Sequence, residues 1–141
     1  MNRETIYAAL FAKLQTAAGF TTISRRLEHI ADTSPAELPA LYQIQKNEIP
    51  QQLRGLPTKW RLAVDLYIYV QTTDHTISGS SALNPLIDAV ENALAFDPVT
   101  GTQNLSGTVS HCWISGNVQI FEGVQDVYTV AIIPIEILTD S

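Results

Sequence analysis

The stretch WRLAVDLYIYVQ, residues 60–71, decides the fold of this chain. Apolar side chains recur in it at every second position: Trp60, Leu62, Val64, Leu66, Ile68 and Val70. Successive side chains of a strand point to opposite faces, so this period predicts a strand with one face against a core. The opposite face would be polar and aromatic, with Arg61, Ala63, Asp65, Tyr67, Tyr69 and Gln71.

Two segments around this strand have the pattern of amphipathic helices. The first runs from about Arg3 to Ala18, with apolar residues on one stripe and Gly19 as a C-cap in the left-handed conformation. The second runs from about Pro85 to Phe96, with Asn84 as the N-cap and Pro85 at the first helical position. A polar loop, Thr72 to Ser81, precedes the second helix.

Further β-rich segments predict strands on either side of the second helix. They cover residues 20–30, 40–48, 108–114, 117–122 and 127–138, and the last two form a hairpin. The order of helix, strands, helix and strands, with short turns between strands, predicts an α+β domain. We expect a mostly antiparallel sheet with the two main helices packed on one face, in a single domain over residues 1–141.

The charged residues are unevenly distributed along the chain. All eight Lys and Arg residues lie at or before Arg61, together with five acidic residues. Nine acidic residues follow Arg61, and no Lys or Arg does. Such an uneven charge distribution would suit a head-to-tail contact between identical subunits, in which a basic edge meets an acidic one. It does not suit duplex binding, which needs a basic stripe with several phosphate contacts.

No pattern of catalytic, cofactor or metal-binding residues is present. His111 and Cys112 are adjacent, so a strand would place them on opposite faces, where they could not share a metal. No Lys or Arg lies near Cys112 in sequence to lower the pKa of its thiol, and Asp88 and Glu91 fit the solvated side of a helix. The glycines form no phosphate-binding motif. We therefore predict a protein without enzymatic activity or cofactor.

Tyr67 and Tyr69, on the second face of the 60–71 strand, are candidates for an interface, because aromatic residues are enriched there. Alternatively, one of the helices covers this face and the two tyrosines are half-buried core. With the charges beside them they give our predicted interface residues, Arg61, Asp65, Tyr67 and Tyr69. The chain has no apolar run of transmembrane length and no signal-peptide pattern, so we expect synthesis in the cytoplasm.

A family resemblance lies mainly in the C-terminal third. The stretch NLSGTVSHCWISG (residues 104–116), Glu122-Gly123 and the closing AIIPIEIL (131–138) resemble small proteins encoded with the tail genes of tailed phages. The helix NPLIDAVENALA (84–95), the Trp60 strand, the opening helix and the chain length fit the same family. On these residues the chain is similar to the phage tail terminator, or head-tail joining, proteins.

This resemblance implies a curved sheet flanked by helices and a homo-oligomeric ring, with six subunits expected. The ring would cap the tail tube protein, stop its polymerisation and present a docking surface to the head-tail connector proteins. Genomic DNA would pass through it without specific binding, and the protein would reside in the tail or neck region of the virion. Two alternatives remain open: a head-tail adaptor or neck subunit, and a small enzyme or ligand-binding domain with a pocket beside His75, His111 or Cys112.

Overall fold

Six strands form one sheet in the computed structural model, which describes residues 1–125 and 127–141. Asp126, one of the acidic residues counted above, lies outside the described residues. The helices are α1 (Arg3–Leu14) and α2 (Gly79–Ala93). The strands are β1 (Thr22–Ser24), β2 (Ala40–Gln51), β3 (Lys59–Gln71), β4 (His111–Ile114), β5 (Gln119–Gln125) and β6 (Tyr128–Asp140).

The sheet is built around the pairing of β3 with β6. These two strands are antiparallel and in register along their whole length, from Lys59 opposite Asp140 to Gln71 opposite Tyr128. β2 pairs with the other side of β3, and β1 adds the single parallel pairing between described strands. β4 and β5 share the far side of β6. The predicted α+β class, the mostly antiparallel sheet and the β5–β6 hairpin are confirmed.

Both helices pack on the sheet face that the alternating pattern of β3 predicts. The five apolar residues of that face from Leu62 to Val70 are buried, in the same core cluster as Leu10 and Leu14 of α1 and Leu83 and Val90 of α2. Alternate residues of β6, from Ala131 to Ile137, complete the cluster. Burial of these side chains is the main favourable contribution to folding.

α1 ends earlier than the sequence indicated. The helix ends at Leu14 with Gln15 as its C-cap, so the predicted extent to Ala18 and the capping role of Gly19 are wrong. Gly19 does have a positive φ of 96°, but it lies in the turn that leads to β1. A Cβ there would come within 2.9 Å of Leu86 Cδ2, so the glycine is needed both for its conformation and for the close approach of α2.

α2 begins six residues before the predicted start. Ser78 is the N-cap, its hydroxyl accepting a hydrogen bond from the Ser81 N–H, and Pro85 lies inside the helix. The N-cap role of Asn84 is therefore wrong, and the polar loop ends at Ser78. The early start depends on Gly79, because a Cβ at this position would overlap Thr129 Oγ1 of β6. The glycine lets the first turn of α2 lie directly against the sheet.

The predicted strand over residues 20–30 shrinks to the three residues of β1. Arg25 then forms an ion pair with Glu4 of α1, and two 3₁₀ turns follow at Ile30–Asp32 and Pro35–Glu37. Ile30 packs with Tyr42 and Tyr69 on the sheet face opposite the helices. The segment crosses to that face and buries Ile30 there, which the β-rich composition did not indicate. No helix in the described residues is long and apolar enough to cross a membrane.

Candidate assembly surface

The four predicted interface residues all lie on the sheet face opposite the helices, because they alternate with the buried residues of β3. We call its uncovered part the open sheet face. It is formed by alternate residues of β3 and β6: Arg61, Ala63, Asp65, Tyr67, Ile132, Pro134, Glu136 and Leu138. All of these except the exposed Arg61 are half-buried within the single chain. An antiparallel sheet can leave one face to solvent or to a partner.

Arg61 lies directly beside Glu136 on this face. Arg61 Nη1 donates a hydrogen bond of 2.8 Å to Glu136 Oε1, and Ser115 Oγ donates one of 2.9 Å to the other carboxylate oxygen. The hydrogen bond from Arg61 is the main reason that the pKa of Glu136 lies below its usual value, with burial opposing it and the Ser115 hydroxyl adding to it. Glu136 is thus held as a carboxylate by contacts within the chain.

Asp65 is also paired within the chain. Lys46 Nζ lies 3.6 Å from Asp65 Oδ2, and at the end of the β3–β6 pair Lys59 Nζ lies 3.0 Å from Asp140 Oδ1. With Arg61–Glu136, these contacts join the basic first part of the sequence to acidic residues that follow it. The two parts interleave in one sheet, so these six charged residues already pair with one another within the chain.

The two tyrosines have different environments. Tyr69 is only 5% exposed, and its hydroxyl donates a 2.8 Å hydrogen bond to the Glu28 carbonyl oxygen. Its ring lies 5.2 Å from that of Tyr42, and burial raises the pKa of Tyr69 to about 12. Tyr67 is half-buried at the edge of the same cluster. Of the two, Tyr67 is therefore the tyrosine that a partner could reach.

Two exposed apolar groups were not found from the sequence. The hairpin knob, at the end of the β2–β3 hairpin, consists of Ile49, Leu53 and Leu56, which are 60%, 55% and 58% exposed. The α2 groove, of about 470 Å³, lies between the end of α2 and the β4–β5 connection. Its apolar lining is Ile87, Leu94, Ala95, Phe96, Ile114 and Val118. The signal for the knob was the presence of two leucines in a proline- and glycine-containing turn.

The candidate catalytic residues are not brought together: His75 lines a cavity of about 290 Å³ at the start of α2, and neither His111 nor Cys112 belongs to that lining. Cys112 is fully buried in the main core, and burial raises the pKa of its thiol to about 12, which removes the thiolate that a nucleophile needs. His111 lies beside it in sequence but is half-exposed, its Nδ1 accepting a hydrogen bond from the Gln103 N–H and its ring stacked on Trp113. His75 is exposed in the loop before α2. Among the described residues, no cluster of three or more His, Cys, Asp or Glu could hold a metal ion.

No known protein-family model matches the chain, and no curated protein matches it in sequence. Among solved structures, the chain is similar to a chain of the virion of a native gene transfer agent particle. The two superpose with a TM-score of 0.58 at 9% sequence identity, over 96% of this chain and 95% of the other. At this identity the likeness establishes a shared fold, which extends over nearly the whole of both chains.

Proposed function

We propose that this chain is a structural protein of a phage-like virion, in which it forms a ring, expected to be hexameric, on the end of the tail tube. The observation that carries the proposal is the fold shared with a virion chain over 96% of the length, which agrees with the resemblance to tail terminators in residues 104–138. In that role the ring stops tube polymerisation and docks to the connector proteins of the head.

The exposed surface supports an assembly role over a catalytic one. The described part of the chain combines an open sheet face, a hairpin knob and an apolar groove with a buried Cys112 whose thiol has a raised pKa. Arg61, Asp65 and Tyr67 lie on the open sheet face, and we propose that they meet a neighbouring subunit there; Tyr69 supports that face from within the chain. The net charge of −6 suits a channel through which DNA passes without binding, since like charges repel.

Two measurements test this function. Native mass spectrometry should detect a species near six subunits, alone or with tail tube protein, and tube growth should stop when the chain is added to purified tube subunits. A ring that forms without stopping tube growth would contradict the terminator role. It would favour the alternative, a head-tail adaptor. A strict monomer at every concentration, with tube protein present, would exclude both.

The enzyme alternative has its own test. His75→Ala, His111→Ala and Cys112→Ala should each leave particle assembly intact, provided that the variant folds, as circular dichroism would establish. Loss of assembly in a folded His75→Ala variant would favour a site beside this residue, because His75 is exposed and supports no core contact.

A further inference from the structure

The hairpin knob is held in a defined shape before any partner binds. Gln52 Nε2 donates hydrogen bonds of 2.9 Å to the Leu53 carbonyl and 2.8 Å to the Leu56 carbonyl, and the Leu56 N–H bonds to the Leu53 carbonyl at 3.0 Å. Gly55 supplies the positive φ, 79°, that this turn requires. Because the turn is already ordered, inserting its two leucines into a partner would cost little conformational entropy.

The α2 groove has the size and chemistry to receive such a knob. A Leu→Ala cavity is on the order of 150 Å³, so a groove of about 470 Å³ can take roughly three aliphatic side chains. Phe96 and Val118 on its wall are 50% and 37% exposed in the single chain. Exposed apolar side chains around a concave surface are typical of a protein interaction site.

The charges beside the two features are opposite. Arg54 lies inside the knob sequence, between Leu53 and Leu56, and has no ion-pair partner among the described residues. Glu91 lines the groove and is likewise unpaired within the described part of the chain. α2 contains no basic residue, so Glu91 gives the α2 side of the groove a negative charge.

We propose that the hairpin knob of one copy of this chain inserts into the α2 groove of the next copy, with Arg54 opposite Glu91. The second copy is the occupant because both complementary parts, in shape and in charge, lie on the same chain and share no residue. A contact between two different patches is heterologous, and repetition of such a contact closes into a ring when the rotation permits. The inference rests on the proposed ring and assigns the surface that holds it together.

Charge reversal tests the contact. Arg54→Glu and Glu91→Arg should each weaken self-association roughly tenfold or more, because like charges would face each other at every contact. An equimolar mixture of the two variants should assemble again. In an alternating even-numbered ring, each reversed knob would meet a reversed groove rim and each native knob a native rim, so opposite charges would face each other at every contact. Arg26→Glu, an exposed reversal of the same sign away from both features, is the control and should assemble normally.

A cysteine pair tests the geometry. The Leu56→Cys/Phe96→Cys double variant should form a covalent ladder of oligomers on mild oxidation, whereas either single variant should stay monomeric on a denaturing gel. Cys112 is buried and should not contribute. A disulfide-linked dimer from either single variant would indicate an isologous contact and would overturn the proposal.

The outcomes separate the contact from the function. If the wild-type chain forms rings and both charge variants form them equally well, the knob-in-groove contact is wrong and the ring stands. If the wild-type chain forms no ring and the cysteine pair gives no ladder, the proposed ring and the knob-in-groove contact are both wrong. Loss of assembly in each variant with no recovery in the mixture would also contradict the pairing of Arg54 with Glu91.

Discussion

Arg61 on β3 and Glu136 on β6 form an ion pair with an N–O distance of 2.8 Å, although 75 positions separate them in the sequence. This pair, with Lys46–Asp65 and Lys59–Asp140, uses charges that the sequence alone suggested for contacts between subunits. The antiparallel register of β2, β3 and β6 brings basic and acidic segments side by side. These six charged residues are therefore already paired within one chain, unlike Arg54 and Glu91, which have no ion-pair partner among the described residues.

The stability of the chain should fall as the pH is lowered, because protonation of Glu136 weakens its pairing with Arg61. The folded pKa of Glu136 is below its ordinary value of about 4.3, chiefly because of the hydrogen bond from Arg61. Such a group contributes stability that is present above the unfolded pKa and is lost as the pH falls through the lower folded pKa. Glu136→Gln should cost about 0.5–1 kcal/mol at pH 7, as expected of a partly exposed pair.

Urea denaturation at a fixed protein concentration measures this effect. The difference in free energy of unfolding between wild type and Glu136→Gln should shrink toward zero as the pH is lowered through the folded pKa of Glu136. A difference that stays equal from neutral to acidic pH would mean that the carboxylate contributes nothing through its charge.

The N-cap of α2 gives a second prediction. Ser78→Ala should lower the free energy of unfolding by about 1 kcal/mol, because the Ser81 N–H would lose its side-chain acceptor. Asn84→Ala, in the exposed middle of the helix, is the matched control and should change stability by less than about 0.5 kcal/mol. Thermal or urea unfolding measures both losses. A larger loss of stability for Asn84→Ala than for Ser78→Ala would indicate that Asn84 is the N-cap.

Gly79 should tolerate no larger side chain. Gly79→Ala should destabilise the chain by about 1–3 kcal/mol, because its Cβ would overlap the Thr129 hydroxyl of β6. The double variant Gly79→Ala/Thr129→Ser tests the cause, since it removes the Thr129 methyl group but keeps the oxygen that clashes. Gly79→Ala/Thr129→Ala removes the oxygen and should recover more of the loss, as judged by the midpoint of urea unfolding.

α1 is joined to β2 by a small polar network. Tyr7, itself buried, donates a 2.8 Å hydrogen bond to Glu48 Oε2, and Arg3 Nε donates one of 2.6 Å to Glu48 Oε1. Burial alone would raise the pKa of Glu48, but the hydrogen bonds from Arg3 and Tyr7 outweigh it and lower the pKa. Arg3 also lies 4.9 Å from the centre of the Trp60 ring.

Tyr7→Phe should therefore lower the free energy of unfolding by about 1.5–3 kcal/mol, because a hydrogen bond to a charged acceptor is lost. Tyr67→Phe is the control, because no intrachain hydrogen bond of the described residues uses the Tyr67 hydroxyl. Equal effects of the two substitutions on urea unfolding would show that the Tyr7–Glu48 bond contributes no net stability.

Cys112 should be unreactive in the folded protein. Its thiol is buried, with the pKa raised to about 12, so a thiol reagent such as 5,5′-dithiobis(2-nitrobenzoate) should label it only after unfolding. The rate of labelling in native buffer against that in concentrated urea is the measurement. Fast labelling in native buffer would mean that the core around β4 opens readily.

Local pattern was enough to identify the central strand and the helix-facing core. Period two in residues 60–70 correctly places Val64 and Leu66 in the core, because strand geometry is a property of neighbouring residues. The helical stripes of α1 and α2 were found for the same reason. The start of α2 was not, since Gly79 acts through its contact with β6 and Ser78 through the cap that this contact makes possible.

The candidate surfaces required the tertiary structure. Periodicity placed Tyr67 and Tyr69 on one face, but only the crossing of Ile30 to that face decided that Tyr69 is buried. Likewise, the sequence by itself determined where the charges lie along the chain, whereas strand register decided that Arg61 meets Glu136 within it. The physical reason is the sequence separation of the interacting residues. Alternation depends on adjacent residues, whereas burial, ion pairing and the apolar groove depend on segments that are far apart in the chain and are brought together by folding.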